Sequence, residues 1–255
     1  MPTFMIFKQG REVKRIRGAD PKALDAAVKS LAAEAAKAGE SGGGEGGSSG
    51  GAGVGWTAFA APKGYPNVTD QVDVRGLDFL NLDSETGEKK VVFDSSKPSS
   101  LGAKGKAAEG EKKDWVESDT DEQLMLFLPF QMTLKLHSLH ITSLPSSDSD
   151  DGEVAMRPKS IRLYTNQSTI LGFDEAEDAQ AVQSFELKTS DWDESTGTAK
   201  LELRFVKFQN ISSLVIFVAD SEGDGEKTRI DRIRFFGETG VKTEAGKIEK
   251  VGGDE

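Results

Sequence analysis

The chain has two histidines, His137 and His140, which are the first candidates for acid-base or metal chemistry. On a β-strand, residues three positions apart face opposite sides, so this pair could share a metal ion only if a bulge rotated one of them. Neither histidine lies in a G-x-S-x-G or other nucleophile motif, and the chain contains no cysteine with which they could pair. We therefore expect no catalytic residue, cofactor site or metal site at these positions.

A second candidate is the acidic segment DSEGDGEKTRID, which matches part of the calcium loop of an EF-hand. Asp220, Glu222, Asp224, Gly225 and Asp231 stand at loop positions 1, 3, 5, 6 and 12. Position 12 has the shorter Asp where a bidentate Glu is usual, and the flanking segments LVIFV and RIRFF are typical of strands. The favoured interpretation is an acidic hairpin turn between two core strands.

Three further patterns are weaker signals. A G-x-G-x-x-G motif begins at Gly42, but no strand precedes it and no helix follows, so a phosphate-binding loop is not expected. The acidic run from Ser146 to Glu153 indicates a solvated loop more than a metal site. Trp115 and Trp192 stand beside acidic residues at strand edges, where they could be interface anchors or aromatic plugs of a sandwich.

Composition excludes several functional classes. The 255 residues carry a formal net charge of -11 at pH 7, so we expect neither nucleic acid nor a membrane as a partner. The absence of cysteine excludes disulfides, thiolate zinc sites and thiol redox chemistry by this chain alone. The longest apolar run, LMLFLPF, is far shorter than the roughly 20 residues that span a bilayer. We expect a monomer in the cytoplasm with access to the nucleus.

Residues 1–38 predict a small ββα unit. Thr3 to Phe7 and Val13 to Ile16 have the pattern of two strands joined by a glycine turn. A capping residue, Asp20, then begins an Ala-rich helix whose apolar residues recur at helical spacing. Residues 39–61 are rich in Gly and Ser and predict a flexible linker.

Residues 62–237 contain short strands separated by polar turns and no long amphipathic helix, which favours an antiparallel β-sandwich. The strand TLKLHSLHI changes phase, which predicts a β-bulge at His137–Ser138. KLELRFVKF and SLVIFVAD are two of the predicted strands, and their phase places Phe205 and Phe217 in the core. The low-complexity segment at about 95–114 predicts a mobile insertion.

The first unit resembles the C-terminal third of a thioredoxin. MPTFMIFKQGREV is similar to the strand that begins with the cis-proline of that family and its hairpin partner, and GADPKALDAAV is similar to its last helix. The resemblance implies that Pro2 is a remnant of the cis-proline. The Trp-Cys-x-x-Cys motif of the family would lie upstream of residue 1, so we expect a truncated thioredoxin module.

Residues 62–237 resemble a PITH domain, the proteasome-interacting module found at the C-terminus of thioredoxin-like proteins. PKGY, GLDFLN, ESDTDEQLMLFLPF, KLHSLHI, RPKSIRLYTNQ, LRFVKFQNISSLVIFVAD and TRIDRIRFFG occur in the order and spacing of that family. The resemblance implies a mainly β fold, a jelly-roll antiparallel β-sandwich. Leu77 and Phe79 stand where some relatives carry cysteines, so a redox role for that segment is excluded.

The resemblance implies a non-catalytic adaptor that binds the regulatory particle of the 26S proteasome. Loops at one end or face of the sandwich would make the contact, and the acidic balance predicts a neutral or basic contacted surface. The charged tail, residues 238–255, is a second candidate contact. Two alternatives stay open: the C-terminal part of a thioredoxin-type disulfide oxidoreductase whose active-site half is missing from this sequence, and a sugar- or ligand-binding jelly roll.

Overall fold

The computed structural model describes residues 3–8, 11–17, 55–102, 113–145, 154–223 and 225–240. The chain divides into two compact units, Met1–Ser49 and Gly50–Glu255. In the first unit, β1 (Thr3–Lys8) and β2 (Arg11–Arg17) form an antiparallel hairpin where the sequence predicts two strands. Pro2 and the helix predicted from Asp20 lie outside the described residues.

The second unit is built from short strands. Their bounds are β3 (Asp78–Leu80), β4 (Val116–Glu117), β5 (Leu124–Thr142), β6 (Ala155–Met156), β7 (Pro158–Thr165), β8 (Gln183–Glu186), β9 (Thr198–Glu202), β10 (Ile211–Ser221), β11 (Lys227–Ile230) and β12 (Arg232–Thr239). One short α-helix, Phe173–Asp178, is present among the described residues. Single 3-10 turns lie at Thr69–Gln71, Lys89–Phe93, Ser99–Leu101, Thr189–Asp191 and Phe205–Lys207.

The 19-residue strand β5 belongs to both layers of a sandwich. Its first half belongs to the first layer, where it lies between β3 and β10, and this layer continues from β10 to β7 and β8. Its second half belongs to the second layer, where it lies between β9 and β12. All of these pairings are antiparallel, and β11 makes a separate small sheet with β4 and β6. The predicted mainly β, antiparallel sandwich is confirmed.

The main core fills the space between the two layers. Because side chains alternate along a strand, every second residue of β5 and β10 faces inward. The inward-facing residues of β5 and β10 include Leu126, Leu128, Leu136, Leu139, Ile141, Leu214 and Ile216. Phe235 of β12, Phe79 of β3 and the neighbouring Leu77 belong to the same core. The opposite face of the first layer forms a second apolar cluster of Met125, Tyr164, Val215 and Phe217, covered by Leu171 and the helix residue Ala176.

The bulge predicted in β5 is confirmed. Phe236 of β12 pairs with Ser138 and the next residue, Gly237, pairs with Leu136, so His137 is the extra residue of β5. The insertion keeps both Leu136 and Leu139 in the core although they are three positions apart.

The strand predicted through Phe205 is too long, because β9 ends at Glu202 and Phe205 begins a 3-10 turn. Phe205 is only partly buried, whereas Phe217 is fully buried as predicted. The alternation of LELRFVKF continues the strand pattern past the residue at which pairing with β5 stops.

The insertion at about 95–114, which the sequence predicts to be mobile, is held by hydrogen bonds at both of its described ends. Arg232, which is fully buried, donates from Nε to the carbonyl of Ser96 at 3.1 Å and from Nη2 to Asp114 Oδ2 at 2.7 Å. The hydroxyl of Ser99 donates to Asp114 Oδ1 at 2.5 Å. Residues 103–112 lie outside the described part of the chain.

Contacts of the second unit begin before the predicted boundary at residue 62. The amide of Trp56 donates to the carbonyl of Ser95 at 2.7 Å, and the carbonyl of Trp56 accepts from Arg234 Nε at 3.0 Å. The linker is predicted to span residues 39–61, but its last residues, from 55 onward, pack as part of the sandwich.

Candidate binding surface

The bulge places both histidines on the face of the second layer that is turned away from the core. His137 stacks on Tyr65 with ring centroids 4.0 Å apart, and His140 packs against Phe236 at 4.3 Å. Phe59 meets the His140 ring edge-on at 5.6 Å. Residues 55–66, which we call the covering segment, thus lie over this face.

His140 has the environment of a packing residue. Its side chain is 2% exposed, and neither ring nitrogen has a hydrogen-bond partner. Burial, with a smaller contribution from the charge of Lys200, lowers the pKa of His140 to about 4, so the imidazole is neutral at pH 7. In the part of the chain that the structure describes, no three His, Asp or Glu side chains are grouped closely enough to hold a metal.

The carboxylates of the acidic segment DSEGDGEKTRID, which begins at the end of β10, contact different partners. Asp220 forms an ion pair with Lys159, and Glu222 accepts a hydrogen bond from the hydroxyl of Thr189. Asp231 is buried and accepts from Arg229 Nη2 at 2.8 Å. Asp224 lies outside the described residues. The segment joins two strands, as predicted, but it is not a hairpin turn, because β11 pairs with β4 and β6 and not with β10.

Asp231 is held as a buried acceptor. Burial raises the pKa of its carboxyl, against the opposing effects of Arg229 and of the amide of Leu144, which donates to Oδ2 at 2.8 Å. Its oxygens therefore bind the chain itself rather than an external ligand.

Both tryptophans proposed as possible interface anchors are buried, so that interpretation is wrong and the aromatic-plug alternative is correct. The guanidinium of Arg229 lies 3.8 Å from the Trp115 ring centroid, and Trp115 Nε1 donates to Glu117 Oε1 at 2.7 Å. Arg157 lies over Trp192 at 5.5 Å. Stacked guanidinium groups cover the ring faces that a partner would need.

The most exposed large apolar side chain in the described residues is Val206, at 88%. It is the middle residue of the 3-10 turn between β9 and β10, which we call the 204–209 turn. Its charged neighbours, Arg204 and Lys207, are exposed as well. The turn thus presents one apolar side chain between two cations.

Hydrogen bonds fix the backbone of the 204–209 turn. The amide of Lys207 donates to the carbonyl of Arg204 at 2.7 Å, and Gln209 Nε2 donates to the carbonyl of Phe205 at 2.7 Å. Phe208 is fully buried, and its carbonyl accepts from the amide of Leu136 at 2.9 Å. The turn is therefore fastened to β5 through Phe208, two residues after Val206.

Aromatic rings connect the turn to the covering segment. Phe205 meets Tyr65 edge-on with centroids 5.4 Å apart, and Tyr65 in turn stacks on His137. The sequence did not reveal this surface, because the apolar alternation around Val206 imitates a strand. No pattern in the sequence separates an exposed valine in a turn from a buried one in a strand.

The described ranges contain no helix with the length and hydropathy needed to cross a lipid bilayer. Among solved structures, the chain is similar to a family 32 CBM from C. perfringens NanJ in complex with galactose. The two are 7% identical, the match covers 68% of this chain and 98% of that one, and the TM-score is 0.40. The C-terminal domain of a chitobiase from Bacteroides fragilis is 9% identical, with coverage of 69% and 100% and a TM-score of 0.42. Likeness at these scores carries no inference about ligands of this chain.

Comparison with curated proteins gives stronger matches. The chain is 34% identical over 252 residues to "Thioredoxin-like protein 1" of Schizosaccharomyces pombe, a match that covers 98% of this chain and 74% of the relative. It is 29% identical over 181 residues to "PITH domain-containing protein 1" of Danio rerio, covering 70% and 71%. The profile of the PITH domain matches residues 59–253, which include the whole described sandwich except its first four residues. This chain belongs to the PITH domain family.

Proposed function

We propose that the chain is a non-catalytic adaptor that docks on the regulatory particle of the 26S proteasome through its PITH domain. The observation that carries the proposal is the match of the PITH profile to residues 59–253, a range that contains all but the first four residues of the described sandwich. The adaptor role is supported by the use of the candidate chemical groups in packing. His140, Asp231 and Trp115 are all buried against other parts of the chain.

The proposal is tested by binding the full chain, carrying a fluorescent label, to purified 26S proteasomes. We expect comigration of label and proteasome on native gels at low salt, saturating at a fixed ratio of chain to regulatory particle. Isolated 20S core particles serve as the matched control, because they lack the regulatory particle. Absence of comigration with 26S particles at micromolar chain concentration would exclude the adaptor role.

A thioredoxin-type oxidoreductase is the second candidate, and the similarity to "Thioredoxin-like protein 1" favours it. The 255 residues contain no cysteine, so thiol exchange would need residues that this sequence does not hold. Sequencing transcripts upstream of the Met1 codon tests this candidate. An in-frame Trp-Cys-x-x-Cys would support it, and a stop codon with no such motif would exclude it.

A further inference from the structure

The 204–209 turn exposes an apolar side chain in a backbone that is already ordered. Val206 is 88% exposed and Val74 is 49% exposed, and these are the two exposed large apolar residues of the described chain. A single exposed valine is ordinary on a protein surface and indicates nothing alone. The backbone and the charges of the turn distinguish Val206 from such a residue.

Order in the turn lowers the cost of binding. The turn is closed by its own hydrogen bonds, and the buried ring of Phe208 fastens it to the core. On the other side, the amide of Arg204 donates to Gln183 Oε1 at 2.8 Å. A partner that contacts Val206 therefore does not have to order this backbone, and that entropy is not lost on binding.

Charge distinguishes the turn from the rest of the chain. The sequence from Leu203 to Ala219 contains Arg204 and Lys207 and no acidic residue, although the whole chain has a net charge of -11. Among the described residues, Lys207 Nζ reaches only the carbonyl of Val182, at 3.4 Å, and Arg204 has no carboxylate partner. Both cations are therefore available to carboxylates of another molecule.

The nearest acidic residue before the turn does not cancel this charge. Glu202, the last residue of β9, forms an ion pair with Lys200 at 3.4 Å. On the covering segment, exposed Lys63 stands two residues before Tyr65, whose ring meets Phe205. The covering segment thus adds one exposed cation close in sequence to the ring that contacts the turn.

We infer that the 204–209 turn is a docking site for an acidic segment of a partner protein that carries an exposed apolar side chain. Val206 contacts the apolar side chain, while Arg204 and Lys207 bind flanking carboxylates, Arg204 with the planar geometry suited to two oxygens. The inference rests on the proposed function where the partner is the proteasome. The chemistry of this site is charge complementarity around one apolar contact, and that chemistry can be tested without the proteasome.

The direct probe is a fluorescein-labelled synthetic peptide of alternating Asp-Glu pairs and leucines, with a Lys-Leu peptide of equal length as its control. We expect the full chain to bind the acidic peptide at low salt and not the basic one. Val206→Ser and Arg204→Glu/Lys207→Glu should each weaken binding at least tenfold. Since the contact is partly electrostatic, rising salt should weaken binding to the wild type and affect the charge-reversed variant much less.

Matched variants control for nonspecific effects. Val74→Ser removes the other exposed valine, and Lys90→Glu/Lys188→Glu makes the same change in net charge at exposed sites away from the turn. Both should bind the acidic peptide within twofold of the wild type. All variants alter exposed side chains, and melting curves by circular dichroism should coincide within about 2 °C.

Proteasome binding is measured on the same variants, so that the two proposals can fail separately. If the wild type and Val206→Ser bind 26S proteasomes equally, the inference is overturned and the adaptor role stands. If the wild type binds the acidic peptide but no proteasome, the inference stands and the adaptor role falls. Equal binding of acidic and basic peptides would overturn the inference, as would self-association of the wild type that Val206→Ser abolishes.

Discussion

His140 is a buried imidazole that has no hydrogen-bond partner for either nitrogen, and its packing depends on the ring staying neutral. Phe59 and Phe236 contact the ring, and neither can stabilise a charge as water would. His140, a candidate for acid-base or metal chemistry in the sequence, therefore acts as an aromatic contact between β5 and the covering segment.

This environment predicts a pH dependence of stability. The pKa of His140 is about 4 in the folded chain and 6.5 in the unfolded chain, so between these values the unfolded state binds more protons. Stability is fully present above pH 6.5 and falls as the pH drops toward 4. Wild type should lose roughly 2–4 kcal/mol more than His140→Phe between pH 7 and pH 4. Urea unfolding at several pH values measures this, and parallel curves for the two proteins would contradict it.

Arg232 is the residue that fastens the long insertion to the sandwich. Burial alone would raise the pKa of Asp114, but hydrogen bonds from Ser99 and Arg232 outweigh it, so the pKa lies below its ordinary value. The contact joins residues 114 and 232, which are far apart in sequence, and no local pattern predicts it.

Replacing Arg232 by methionine keeps most of its length and removes every donor. The carbonyl of Ser96 then loses its guanidinium donor, and the carboxylate of Asp114 loses the charged donor and keeps its hydrogen bonds from Ser99. We expect Arg232→Met to cost about 3–5 kcal/mol of unfolding free energy. Lys90→Met, at an exposed position, is the control and should change stability by less than about 0.5 kcal/mol. A small effect of Arg232→Met in urea unfolding would show that the anchor contributes little.

The elements differ in how far the sequence predicts them. The bulge in β5 could be predicted because Leu136 and Leu139 cannot both face the core on a regular strand. The end of β9 could not, because apolar alternation continues through Phe205 and only the loss of pairing with β5 ends the strand. For the same reason the sequence does not predict the 204–209 turn, the candidate site, although it does predict the sandwich that positions this turn.

The two phenylalanines predicted as core residues should now respond differently to truncation. Phe217 is fully buried on β10, so Phe217→Ala should cost about 3–5 kcal/mol. Phe205 is partly exposed in the turn, and Phe205→Ala should cost about 1–2 kcal/mol, mainly from its contact with Tyr65. Chemical denaturation of both variants measures the difference, and equal costs would show that the turn is buried more deeply than described.

On the scale of the whole molecule, net charge is a poor guide to the binding surface. The charge of -11 predicts a neutral or basic contacted surface, yet the exposed turn on the sandwich carries two cations that have no carboxylate partner among the described residues. Composition averages over the chain, whereas a partner contacts one surface, so only the fold shows which charges stand together. The family could be recognised from motifs because they record the core strands, which the fold constrains most.

The central claim is that the PITH domain docks on the proteasome with the 204–209 turn at the contact. Site-specific photo-crosslinking tests it most directly, with Val206→p-benzoylphenylalanine and, as a matched control, Val74→p-benzoylphenylalanine, each bound to purified 26S proteasomes. We predict that the probe at position 206 crosslinks an acidic, apolar-containing segment of a regulatory-particle subunit, and that the probe at position 74 does not. A complex that forms but gives no crosslink at 206, or gives one at 74 alone, would contradict the claim.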